Sequence, residues 1–74
     1  MPQSPVQNLS PRERQCLTLL AKGKRLKGIA EDLGITVKTV DKQVLSARDK
    51  LGAATTEQAI AIAIRNNLLT EGNS

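Results

Sequence analysis

None of the 74 residues is phenylalanine, tyrosine or tryptophan. A chain without aromatic side chains must build its interior from Leu, Ile, Val and Ala. Side chains this small fill space only where the elements that carry them approach closely, which suits packed helices better than a β-sandwich. The length allows one domain, with a small core and a thin folding balance. The apolar residues recur at helical spacing, without strand alternation or internal repeat. The fold class expected is all-α, a compact four-helix domain.

The punctuation of the chain places the four helices. In "LSPRERQCLTLLAKG", Ser10 and Glu13 form a capping box with Pro11 at the first helical position. Cys16, Leu17, Leu20 and Ala21 supply the buried stripe of this helix, and Gly23 stops it. "LKGIAEDLG" is a shorter second helix that buries Ile29, Ala30 and Leu33 and ends at Gly34. The third helix runs over about 37–51, capped by Thr36 and closed by Gly52. Its residues Val40, Val44, Ala47 and Leu51 fall at i, i+4, i+7 and i+11, one face of a helix. "AATTEQAIAIAIRNNLL" is the fourth, opened by a second capping-box pattern of Thr55 with Gln58. Residues 1–8 read as a flexible lead or linker, 9–69 as the domain and 70–74 as a fraying tail.

The formal net charge is +4, and its distribution is uneven. Lys22, Lys24, Arg25 and Lys27 lie within six residues, and Lys38 and Lys42 follow on the outer face of the third helix. Such a balance suggests a polyanionic partner. No apolar run reaches the length of a membrane span, and the N-terminus lacks the charged and apolar regions of a signal peptide. Cys16 is the only cysteine, so no internal disulfide can form, and a reducing cytoplasm fits a buried structural thiol. There is no histidine, no metal-ligand cluster and no framed pair of carboxylates. The chain is therefore not expected to be an enzyme, nor to hold a metal, cofactor or small-molecule ligand.

A short helix, a glycine turn and a longer helix with a polar outer face make a helix-turn-helix. The second helix of such a pair fits the major groove and the first braces it across the backbone. The segments "LSPRERQCLTLLAKGK", "IAEDLGITVKTV" and "KLGAATTEQAIAIAIRNNLL" resemble the LuxR-type (GerE-type) DNA-binding domain of bacterial transcription regulators, over about residues 9–69. The joint spacing of "LSPRE", "IA..LGI", "TV" and "KLGA" carries the resemblance, and the ending "AIRNNLL" is most similar to the quorum-sensing branch. The resemblance implies a domain that binds double-stranded DNA as a dimer, with the third helix in the major groove and the fourth at the dimer interface. RNA polymerase is a further partner it suggests. It also implies a ligand-binding or receiver domain upstream, so the chain reads as a fragment or a stand-alone member.

Carried over position by position, the resemblance assigns base contacts to Asp41, Lys42 and Leu45, with Gln43 and Ser46 at the margins. Lys38, Thr39 and Lys50 fall at phosphate-contacting positions, and Lys24, Arg25 and Lys27 are further phosphate candidates. Ala61, Ile62 and Arg65 fall at the dimer interface, with Ala59, Ile60 and Ala63 turned inward and Ala61 and Ile62 outward.

Two departures from the family pattern stand out. Asp41, Leu45 and Asp49 occupy positions where basic or polar residues are usual. An aspartate can accept from cytosine N4 and a leucine can touch a thymine methyl, which reads as unusual specificity. Each carboxylate is also repelled by phosphate, which reads as weakened binding. At the start of the second helix, Arg25 and Gly28 replace both halves of the usual capping box. The rival reading is a protein-interaction module that pairs with a related regulator through the fourth helix and inhibits it.

Overall fold

The computed structural model describes residues 9–66 and residue 69. It contains α1 (Pro11–Ala21), α2 (Leu26–Leu33), α3 (Val37–Leu51) and α4 (Thr56–Arg65), joined by short connections. The lead 1–8 and the tail 70–74 inferred from sequence lie outside the described residues.

The caps form as the sequence chemistry requires. The Ser10 hydroxyl accepts from the Glu13 N–H at 3.1 Å, and the Glu13 carboxylate accepts from the Ser10 N–H at 2.8 Å. These two bonds satisfy donors that a helix start otherwise leaves open. Thr36 caps α3 through the Thr39 N–H. At α4 the box is stretched by one residue. The Thr55 hydroxyl accepts from the Gln58 N–H, but the Gln58 side-chain oxygen accepts from the Ala54 N–H at 2.6 Å rather than from the cap residue itself. At α2 the cap position is Arg25, and no side chain closes it.

Three residues make the turn between α2 and α3, each with a separate task. Gly34 adopts φ +69, the left-handed conformation that lets the chain leave the helix. The Ile35 N–H then returns to the Ala30 carbonyl at 3.0 Å, while the Ile35 side chain packs into the core. Thr36 starts the next helix. The same termination recurs at Gly52, where the Ala53 N–H reaches the Arg48 carbonyl.

The core divides into two clusters that meet on α3. Its first half gives Val40 and Val44 to a cluster with Cys16 of α1 and Ile29 and Ala30 of α2. Its second half gives Ala47 and Leu51 to a cluster with Leu9, Leu17 of α1, and Ala59 and Ala63 of α4. Half-buried Leu20 packs against both. The stripe expected on α1 is narrower than its sequence suggests, since Ala21 is exposed at the last helical position. α4 also differs from expectation. Ile62 does not point away but packs, like Ile60, against the core cluster. The two isoleucines flank the Ala59–Ala63 stripe on either side, and the small alanines let α4 approach closely enough to bring both flanks into contact.

Candidate nucleic-acid interface

With Val40, Val44, Ala47 and Leu51 buried, the helical twist leaves Lys38, Asp41, Lys42, Leu45 and Asp49 exposed on the outer side of α3. Leu45 has 41% of its surface exposed, and Val37 at the start of the helix has 43%. Two lysines oppose two aspartates, so this face is neutral in formal charge. Positive charge is supplied from the side, by α2 and the segment before it. Lys24, Arg25 and Lys27, with Gly28 and Glu31, line a shallow cleft at the start of α2. Lys24 is held there by an ion pair with Asp32 at 2.7 Å. All three basic residues are exposed; Lys27 lies on α2, which braces the first half of α3, and Lys24 and Arg25 lie just before it.

The flank of α3 that faces α1 behaves differently. The Ser46 hydroxyl donates to Glu13 Oε2 at 2.6 Å, and the Lys50 ammonium reaches Glu13 Oε1 at 3.0 Å. Ser46, assigned to the margin of the base-reading set, and Lys50, assigned to phosphate, are thus both engaged by α1. Gln43 on the same flank is half-buried. Thr39 is half-buried too, and its hydroxyl accepts from Thr36 at 2.9 Å as part of the cap.

Glu13 is the residue that sequence reasoning missed at this site. Its local role as a capping carboxylate is legible three residues from Ser10, but its partners on α3 lie 33 and 37 residues away, and no local pattern announces them. Burial pushes its carboxyl up. The hydrogen bonds from Ser46, the Ser10 N–H and Lys50, with the Lys50 charge, outweigh burial and leave it below the ordinary glutamate value. Burial raises the Cys16 thiol, more than nearby Arg12 lowers it, which keeps the fully buried thiol protonated and inert.

Of the residues assigned to a dimer interface, Ala61 and Arg65 are exposed and Ile62 is half-buried against the core. Ile64, which was not assigned, is the most exposed large apolar residue described on α4, at 56%. Among the described residues, no helix is long and apolar enough to cross a membrane.

Comparison with known proteins bears on this geometry. A family model described as bacterial regulatory proteins, luxR family, matches residues 7–63. The transcriptional regulatory protein LiaR of Bacillus subtilis is 40% identical over 65 residues, which cover 88% of this chain and 31% of that protein. The transcriptional activator protein BjaR1 of Bradyrhizobium diazoefficiens is 37% identical over 65 residues, covering 88% of this chain and 27% of that protein. The chain therefore spans less than a third of the length of these curated relatives. The solved structure of the transcription factor GerE superposes with a TM-score of 0.80 at 34% identity, covering 84% of this chain and 92% of that one.

Proposed function

The chain belongs to the luxR family of bacterial regulatory proteins, and from that premise we propose that its helix-turn-helix binds double-stranded DNA with α3 in the major groove. The observation that carries this reading is the division of labour around α3. Val40 and Val44 are anchored on α2, and the opposite side of the helix offers Lys38, Asp41, Lys42, Leu45 and Asp49 to a partner. A major groove about 12 Å wide accepts one helix. Seated there, α3 brings base edges to Asp41, Lys42 and Leu45, while the start of α2 carries Arg25 and Lys27 toward the adjoining phosphates. Lys38 at the first turn of α3 takes a phosphate as well.

The relatives are regulators of transcription, which favours this reading over an interaction module that merely inhibits another regulator. In the proposal two copies act together through the outer side of α4, where Ala61, Ile64 and Arg65 are exposed. The patch is small, so the pairing is weak without DNA.

Fluorescence anisotropy with a randomised duplex tests the reading. Binding is expected at low salt, falling steeply as salt rises, with a non-specific dissociation constant of about 1–100 μM at physiological salt. Absence of binding at low salt would overturn it.

A further inference from the structure

Phosphate attraction alone would select a uniformly basic outer face on α3, and this face is not one. Leu45 stands in its middle, 41% exposed, among Lys38, Asp41, Lys42 and Asp49. An exposed leucine is unremarkable by itself. Here its neighbours across the face are charged. Val44, the preceding residue, is locked into the core, so Leu45 cannot be buried by a small turn of the helix. A leucine has neither donor nor acceptor. Among base edges in the major groove, the apolar feature is the 5-methyl group of thymine. Asp41, one turn earlier, can only accept, and its base-edge partners are amino groups, cytosine N4 foremost.

The two residues lie about 6 Å apart along the helix axis and about 40° apart around it. Successive bases of one strand are about 3.4 Å apart, so side chains one turn apart fall within two base steps. Resting on the proposal that α3 enters the major groove, we infer that Leu45 is a specificity-determining residue that reads a pyrimidine 5-methyl group, within two base steps of an amino group accepted by Asp41. The preferred DNA is thus recognised partly by a methyl group. Uracil, which differs from thymine by that group alone, is the poorer partner. Conversely, 5-methylcytosine carries the methyl on the same ring carbon.

The test uses the duplex that the wild-type chain enriches from a randomised pool, and copies of it with uracil in place of each thymine in turn. At one thymine per half-site, uracil is expected to weaken wild-type binding by about fourfold, which is ~0.8 kcal/mol for one buried methyl at ~1.4 kcal/mol per factor of ten. Leu45→Ala is expected to bind the thymine and uracil duplexes equally, while Lys42→Ala binds both more weakly and keeps their ratio. Circular dichroism checks that Leu45→Ala stays folded, as expected for a side chain outside the core clusters. Equal wild-type affinity for thymine and uracil at every position overturns the inference and leaves the groove reading standing. So does a uracil effect that persists in Leu45→Ala, or duplex binding that enriches no motif. Failure to bind any duplex at low salt instead removes the groove reading beneath it.

Discussion

Ser46 of α3 donates its hydroxyl to Glu13 Oε2 of α1 at 2.6 Å, across 33 residues of sequence. The other carboxylate oxygen takes the Ser10 N–H and the Lys50 ammonium. One nearly buried side chain thus closes the start of α1 and grips α3 at two positions one turn apart. This grip opposes rotation of α3 about its own axis. It therefore contributes to deciding which residues look outward, although it touches none of Lys38, Asp41, Lys42 or Leu45.

Removing the grip is expected to cost stability in a pH-dependent way. Glu13→Ala is expected to destabilise the fold by about 2–3 kcal/mol, from a lost cap and charged hydrogen bonds, and Ser46→Ala by about 1 kcal/mol. The carboxyl is depressed in the folded protein relative to about 4.3 in an unfolded chain. Its contribution is therefore complete above that unfolded value and is lost as pH falls through the lower folded one. Urea midpoints should decline below about pH 5 in wild type and decline less in Glu13→Gln. Parallel midpoint curves for the two proteins would show that the carboxylate contributes nothing.

The uncapped start of α2 gives the second expectation. Arg25 already has the extended backbone of a cap residue, and a Cβ added at Gly28 meets no atom within 4 Å. Arg25→Ser with Gly28→Glu should raise stability by about 1–2 kcal/mol, through a regained capping box and the loss of a helical glycine. The same change replaces a positive charge and adds a negative one beside Lys24 and Lys27. DNA affinity should fall and its salt dependence should flatten while the urea midpoint rises. A midpoint that stays or drops would refute the capping argument.

Local chemistry made most of this architecture legible. Ser10, Thr36 and Thr55 mark helix starts because capping needs only near neighbours, and Gly34 and Gly52 mark ends because a left-handed residue favours glycine. The buried face of α3 follows from spacing alone. Legibility ended where distant parts of the chain meet. Ile62 looked outward on a helical wheel, but its packing depends on how close two alanines bring α4 to the core. The DNA contacts assigned to Ser46 and Lys50 rest on their positions along α3, and those positions do not announce that the fold brings Glu13 beside both.

The packing of Ile62 against the core changes how the proposed dimer should be probed. Ile62→Lys would press a charge against the core cluster that α4 shares with α1 and α3 and is expected to destabilise the fold by about 2–3 kcal/mol. Ile64→Lys leaves the core alone and sets like charges against each other across a two-fold axis. Sedimentation at high concentration should show wild-type dimers, weak and absent in Ile64→Lys, with equal urea midpoints for the two proteins. A wild type that stays monomeric at every concentration, and binds DNA no more tightly than Ile64→Lys, would discard α4 as an interface.

Asp41 and Lys38 share the exposed side of α3 but should fail in opposite ways when truncated. Asp41 is repelled by every phosphate and gains only where a base offers an amino group within reach. Asp41→Ala should therefore tighten binding to random duplex and relax preference at one position of each half-site, where a wrong base costs about 1–3 kcal/mol. In the proposed complex Lys38 neutralises phosphate whatever the sequence. Lys38→Ala should weaken all duplexes alike and lower the slope of log affinity against log salt by about one unit. Selection from randomised DNA with wild type and both variants, followed by titration at several salt concentrations, separates the two roles. If Asp41→Ala gains the same factor on every sequence and the enriched motif is unchanged, Asp41 only restrains binding and reads no base.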